Sequence, residues 1–392
     1  MEEKKYEIQC EEHQFNQNTR QVKTVQGLSS GSLLDKSVLK DVKISRYVSG
    51  PTKLPEMSLT LFQYQTCPFC CKVRAFLDYF GIPYNLVEVN PVLRSQIKFS
   101  KYRKVPFIIL EKNGEKDLLQ LNDSSVIISI LGSFLLHNKN SNEDFKSLLK
   151  LYNNISVSND GKVESQVINR YFLMLADTSS EKYKQIEANL NEERKWRQWA
   201  DDVFVHTLSP NIYRSFGESL QSFKYFSEVG NWKEYFKTWE RQLVIYAGAS
   251  AMLFVGKKLK KKYGLKEDVR LSLYDESNVW LSAIGEQRKF LGGSKPNLAD
   301  LTVYGMMSSI EGCDAFKDVL NHTNVGDCNM KGDKTPTVAE INSDLIVDYS
   351  RKYWSTKNVF DANVIDLIYN DEIKASGFNS RKIMVLEIME IN

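Results

Sequence analysis

The chain has 392 residues, enough for two domains or three at ~150 residues each. Its 42% hydrophobic and 26% charged residues can form real cores, which excludes wholesale disorder. The 52 basic and 49 acidic side chains leave a net charge of +3, which argues against a nucleic-acid binder held by a strongly basic surface.

Residues 1–57 are polar, close on Ser49, Gly50, Pro51 and Pro55, and read as a disordered tail and linker. Their start has no apolar run, so no secretory signal is expected. Residues 58–137 form the first predicted domain. LTLFQY from Leu59 reads as a strand and residues 67–80 as a helix, with Val73, Phe76, Leu77 and Phe80 on one face. YNLVEVN from Tyr84 is a second strand. FIIL after Val105-Pro106 and residues 117–121 are two more, and a helix follows Asn122, Asp123 and Ser124, which offer capping side chains. The order β-α-β, connector, β-β-α describes an α/β domain. Residues 138–166, rich in Asn, Ser, Lys and Asp, read as an inter-domain linker.

Residues 167–324 carry almost wholly helical patterns, so the second domain is expected to be all-α. Asn297 and Asp300, just after Pro296, form a capping box in Asn/Asp form. LVIYAGASAMLFVG (243–256) is the nearest approach to a membrane span but falls short of the ~20 residues one needs. With the KKLKKK that follows it reads as a core helix with a solvated basic end, the alternative being peripheral contact with a membrane surface. Residues 325–392 are polar, then apolar without clear periodicity.

Six cysteines are too few for a disulfide scaffold, and Cys67, Cys70 and Cys71 crowd together, which suggests thiol chemistry in a reducing, intracellular compartment. At the start of a helix, Cys67 would face unpaired N–H groups and the positive end of the helix dipole, both of which favour the nucleophilic thiolate. Lys72 and Arg74 add nearby positive charge, and Cys70, one turn along, could resolve a mixed disulfide. A zinc half-site or two inert thiols are the alternatives. Zinc would need a second ligand pair, and no other C-x-x-C or H-x-H exists, so no metal is expected.

Three further elements accompany the thiol. Tyr64 could donate to the thiolate or to an oxygen delivered there, or could simply be packed. Pro106 belongs on an edge or in a cis turn, where the backbone of Val105 can pair with a peptide ligand as an added strand. At a helix start, the Ser124 hydroxyl and backbone N–H can hold a carboxylate and Asp123 can meet an ammonium, a role compatible with simple N-capping. Together these describe a glutathione site.

YQTCPFCCKVRAFLDYFGIPYNLVEVNPVLRSQIKFSKYRKVPFII followed by LQLNDSSVII resembles the type 2, membrane-associated prostaglandin E synthase family. KWRQWADDVFVHTLSPNIYR, YAGASAMLF with KKLKKK, and GGSKPNLADLTVYGMMSSIEGCDAF extend the resemblance over residues 59–322. It implies a thioredoxin/glutaredoxin-like domain followed by a glutathione-transferase-like helical bundle, usually dimeric. The family isomerises prostaglandin H2 to prostaglandin E2, binds glutathione, and with glutathione plus haem can instead fragment the endoperoxide. By motif, Tyr64 and Cys67 would be catalytic, Cys70 the second thiol, and Val105, Pro106, Asp123 and Ser124 the glutathione contacts. His206, on an otherwise apolar stretch, reads as a packed core histidine, the alternative being a haem ligand.

Two departures stand out. Residues 1–57 lack the hydrophobic anchor common in the family, so the expected location is cytoplasmic or peripheral at Golgi or perinuclear membranes, with no transmembrane anchor in this chain. After His322 the family's Pro-Trp-Tyr-containing ending is absent. The rival functions are a glutaredoxin-like thiol-disulfide oxidoreductase or transferase, and a glutathione–haem binding protein without turnover.

Overall fold

The computed structural model describes residues 31–40, 42–52, 54, 57–137, 145–152, 154–159, 162–167, 169–174 and 181–323. The first domain contains β1 (Gly31–Asp35), β2 (Arg46–Val48), β3 (Met57–Gln63), α1 (Pro68–Tyr79), β4 (Tyr84–Glu88), β5 (Phe107–Lys112), β6 (Asp117–Asn122) and α2 (Ser124–His137). Its strands form one six-stranded sheet in the order β1-β6-β5-β3-β4-β2. β3 and β4 are parallel because α1 carries the chain across the sheet between them, while the other pairings are antiparallel. This is a thioredoxin-like domain.

The burial pattern explains the apolar strands. Leu59 and Leu61 of β3 point to one face, where they pack with Val73, Phe76 and Leu77 of α1 and Ile127 and Leu131 of α2. Phe62 points to the other and stacks on Phe107 at 4.5 Å between ring centroids. With both faces covered, the central strands read as continuous apolar runs rather than as alternation.

Two boundaries differ from the sequence reading. The domain begins at Gly31 rather than Ser58, because β1 and β2, taken from sequence as tail, supply both edge strands of the sheet. Residues 138–166, read as a linker, include α3 (Phe145–Leu149), whose Phe145, Leu148 and Leu149 join the core under α2, and β7 (Asn154–Asn159), which pairs with β8 (Lys162–Val167) in a hairpin. The divergent tail at 325–392 lies outside the described residues.

The second domain is helical: α4 (Glu181–Trp199), α5 (Val205–Ile212), α6 (Phe216–Val229), α7 (Trp232–Tyr235), α8 (Thr238–Lys262), α9 (Val269–Ile284), α10 (Leu298–Ser308) and α11 (Asp314–His322). Between α4 and α5 the helix widens into a π turn at Ala200–Phe204. The α10 start is fixed as its sequence implies, with the Asn297 side chain accepting from Ala299 and Asp300 N–H and Asp300 accepting from Asn297 N–H.

α10 belongs to both cores. Leu298 and Leu301 pack with the sheet-side cluster, Ala299, Val303, Met306 and Met307 with the aromatic cluster of Trp196, Trp199 and Trp280. One helix therefore fixes how the thiol-bearing α1 sits on the helical domain.

α8 is only half a core helix. Val244, Ile245, Ala249 and Gly256 are buried, but Trp239, Leu243, Tyr246 and Phe254 lie on an outer face, with Trp239 58% and Phe254 69% exposed. No helix of the described residues is long and apolar enough to cross a membrane.

Candidate active site

The thiol site is built where β3 ends and α1 begins. Cys67 is the N-cap of α1 in extended backbone, and Pro68 takes the first helical position, where its missing N–H costs nothing. The Cys67 carbonyl accepts from Cys71 N–H at 2.8 Å, which closes the first turn and leaves the Cys67 sulfur at the head of the helix. Cys67 is half-buried and Cys70 and Cys71 are buried, all three as free thiols.

The Cys67 pKa lies below the ordinary thiol value. The side-chain hydrogen bond with Cys70 is the largest cause. The Cys70 and Phe69 backbone N–H groups and the Arg74 charge add to it, against the upward push of burial. The same pair moves Cys70 the other way: burial and the neighbouring Cys67 raise its pKa well above normal. The two thiols therefore differ in their hold on a proton, with Cys67 the readier to form a thiolate. Burial also pushes Cys71 up to about 11, and its sulfur accepts from Arg74 Nη2 at 3.1 Å.

Of the two cations that the sequence places near the thiol, the structure keeps one. Arg74 runs under the β3–α1 loop, where its Nη2 donates to the Gln65 carbonyl at 2.7 Å. Lys72 points away into the seam between the domains. Its Nζ donates to Ser125 Oγ at 2.7 Å and to the carboxylate of Asp201. It is spent on an internal ion pair because its position on α1 faces α10 and the π turn, not the helix start.

Tyr64 is half-buried beside the thiols. Burial raises its pKa, the charges of Cys67 and Cys70 push the same way, and Arg94 opposes them. The phenol therefore stays protonated at neutral pH and is a donor. From the helical domain, buried Tyr213 at the end of α5 lies close enough for the charges of Cys313 and Cys67 to add to the upward shift from burial.

The second half of the site surrounds the start of α2. The Val105–Pro106 peptide is cis, and Val105 N–H and C=O enter no hydrogen bond among the described residues. Asp123 adopts a left-handed backbone at φ 69°, which Asp tolerates better than most residues. That turn aims its Oδ1 at Ser125 and Val126 N–H, at 2.9 and 3.2 Å. Ser124 is only 4% exposed, yet its N–H and Oγ find no partner among the described residues.

Sequence reading missed Arg170 and Tyr102. Arg170 Nε donates to Asp123 Oδ1 at 3.2 Å, and its Nη2 lies 3.2 Å from Asp123 Oδ2 and 3.4 Å from Asp201 Oδ2. Tyr102 joins the two halves. Burial pushes it up to about 12, its hydroxyl lies against the Asp123 backbone, and the charges of Cys70 and Arg170 both reach it. Neither residue falls in a periodic segment, so nothing local marks it. His206 stacks flat on Tyr263 at 3.8 Å between centroids, as a packed ring does. Among the described residues no group of His, Cys, Asp and Glu has the makings of a metal site.

Residues 61–133 match the family model described as "Glutathione S-transferase, N-terminal domain". Prostaglandin E synthase 2 from Mus musculus is 43% identical over 287 residues, covering 73% of this chain and 72% of that protein. Prostaglandin E synthase 2 from Danio rerio is 44% identical over 271 residues, 69% of each. A stretch of 59 residues, 14% of this chain and 4% of the relative, is 42% identical to RNA helicase aquarius from Mus musculus. Similar solved structures include glutathione S-transferase III in apo form, with TM-score 0.37 and 12% identity over 77% of this chain and 98% of that one. Another is the theta class glutathione S-transferase from Xanthomonas axonopodis pv. citri with glutathione bound, with TM-score 0.33 and 11% identity over 77% and 99%. Identity above 40% to both curated synthases, over more than two thirds of each, makes this chain a member of the prostaglandin E synthase 2 family.

Proposed function

We propose that the chain isomerises prostaglandin H2 to prostaglandin E2 on the Cys67 sulfur. The observation that carries this reading is the half-buried Cys67 at the head of α1, its pKa lowered by the Cys70 hydrogen bond and by backbone N–H groups. The endoperoxide O–O bond is weak. The Cys67 thiolate attacks one oxygen, forming an S–O bond, and the other oxygen leaves as an alkoxide and takes up a proton. Loss of the hydrogen on the carbon beside the sulfur-bound oxygen then sends its electron pair into a C=O bond and the S–O pair back to Cys67. One proton is taken up and one released, so the sum is an isomerisation. Tyr64, held protonated, donates to the developing oxyanion.

The groups around the thiol and the start of α2 suit glutathione. Val105 offers a backbone edge and Ser124 an N–H and hydroxyl that have no partner among the described residues, and Asp123 offers a carboxylate. When bound, glutathione supplies a second thiol beside Cys67. The family resemblance extends the proposal to haem bound together with glutathione. A Soret band that needs glutathione as well as haem would support it.

A second reading, thiol-disulfide exchange, is favoured by one feature, the opposite shifts of Cys67 and Cys70. It predicts reduction of a mixed disulfide at a rate that falls in Cys70→Ser.

For the homodimer, we place the second copy on the outer face of α8. From Gln242 to Gly256 the helix carries no charge, and the small Ala247, Ser250 and Ala251 separate large Trp239 and Tyr246 from Phe254. Small centre and large ends can interlock about a two-fold axis. Phe254→Asp should halve the mass seen by light scattering. An unchanged mass, with loss of binding to anionic vesicles, would assign the face to a membrane instead.

The deciding experiment incubates the purified chain with fresh prostaglandin H2, with and without glutathione plus haem, and resolves products by mass spectrometry. Prostaglandin E2 above the spontaneous background that is lost in Cys67→Ser is expected. Full activity in that variant would overturn the mechanism.

A further inference from the structure

We propose that Arg170 completes a receptor for the α-carboxylate of a γ-glutamyl ligand, so that the anchoring end of the site is assembled from both domains. The inference rests on the glutathione reading above and specifies how that ligand is selected.

Arg170 lies between the β7–β8 hairpin and α4, far in sequence from the thiol, yet its guanidinium reaches the first residues of α2. Its side chain is 33% exposed, whereas its neighbours Lys72 and Asp201 are at 0% and 2%. Lys72 already offsets the Asp201 charge. Ser125 Oγ at 2.7 Å and the Tyr171 hydroxyl at 3.1 Å also donate to Asp201 Oδ2, so that carboxylate is a fixed anchor on which Arg170 rests. Arg170 uses Nε and Nη2 for Asp123 and Asp201, while Nη1 makes no hydrogen bond among the described residues.

Next in the chain to Asp123, which Arg170 holds, is Ser124, whose N–H and hydroxyl have no hydrogen-bond partner among the described residues. A guanidinium edge, a helix-start N–H and a hydroxyl together are what a carboxylate requires. Asp123 Oδ2, bound among the described residues by Arg170 alone, keeps acceptor capacity for an ammonium. A group carrying a carboxylate and an ammonium on one carbon fits this arrangement. In a γ-glutamyl tripeptide only the free amino-acid head has that pattern, since the carboxylate at the other end has no ammonium beside it. Because Asp201 holds Arg170 in place, little ordering remains to be done on binding.

The test measures binding of three ligands to the full chain by calorimetry: glutathione, the analogue lacking the γ-glutamyl α-carboxylate, and the analogue lacking its α-amino group. The unaltered chain should lose about 10- to 100-fold in affinity for the decarboxylated analogue, the range for a hydrogen bond between charged groups. Arg170→Gln should bind glutathione more weakly and should discriminate clearly less between glutathione and the decarboxylated analogue than the unaltered chain does. Arg170→Lys, which keeps the charge but not the fork, should fall between. Arg170→Gln that still discriminates as the unaltered chain does would overturn the proposal. So would an unaltered chain that binds both ligands equally, a result that decides the matter even if Arg170→Gln fails to fold. Absence of glutathione binding to the unaltered chain would instead remove the glutathione reading itself.

Discussion

Gly305 of α10 packs directly on the backbone of Lys72 in α1. A Cβ at position 305 would come within 2.6 Å of Lys72 N and 2.8 Å of Cys71 C, both backbone atoms that cannot swing aside. The thiol-bearing helix therefore approaches the helical domain as closely as two backbones allow. Gly305→Ala should force the helices apart, at a cost of about 1–3 kcal/mol, seen as a lower midpoint in urea unfolding. An unchanged midpoint would mean that the seam yields more easily than its geometry indicates.

The Lys72–Asp201 pair seals the same seam from inside. Burial pulls the Lys72 pKa down and would push Asp201 up, but Lys72 and Arg170 more than offset that and hold the Asp201 carboxyl low. Lys72→Met would leave a buried carboxylate without its main partner and should cost about 3–5 kcal/mol. Combining it with Asp201→Leu should cost clearly less than the two single changes added together. Additive losses in a double-mutant cycle would show that the residues do not act as a pair.

Cys67 should react as a thiolate at lower pH than an ordinary cysteine. In iodoacetamide alkylation followed by mass spectrometry, the pH midpoint for Cys67 should rise in Cys70→Ala, which removes the largest cause of the downward shift. A midpoint indifferent to residue 70 would transfer the effect to the helix start and Arg74.

Glu88 lies beneath the β3–α1 loop, where it accepts from Gln65 N–H at 2.8 Å and Gln63 Nε2 at 3.1 Å. Burial is the main cause that raises its pKa from 4.5 to about 7. The folded state therefore holds a proton that the unfolded chain has already lost. The stability tied to that proton is fully present below about 4.5 and falls away as pH rises through about 7. Glu88→Gln should flatten the fall of the thermal midpoint over that window, an effect on the order of 3 kcal/mol at its upper end. A variant with the same pH slope would show that another group carries it.

The local features are legible in the sequence, and the non-local ones are not. The C-P-F-C turn, the Val105-Pro106 step, the Asp123-Ser124 helix start and the Asn297–Asp300 capping box each declare themselves within a few residues, because helix ends and turns are local chemistry. Lys72 was misread because sequence proximity to Cys67 says nothing of which way a helical side chain faces. Arg170 was invisible because its partners, Asp123 and Asp201, lie 47 and 31 residues away. Residues 31–48 read as tail in the sequence because edge strands face water and need little apolar character to form a ladder.

Those edge strands have a consequence for handling the protein. β1 pairs along β6 from Gly31↔Leu121 to Asp35↔Asp117, and β2 pairs along β4 from Arg46↔Leu86 to Val48↔Tyr84. Just ahead of β2, the Ser45 carbonyl accepts from the Tyr235 hydroxyl at 2.9 Å, which ties this margin to the helical domain. Trimming the chain to begin at Ser58 would leave every residue of the thiol site in place while baring two rows of unpaired backbone groups. Such a chain would stick to its own copies through those margins. Its soluble yield would fail well before its chemistry did.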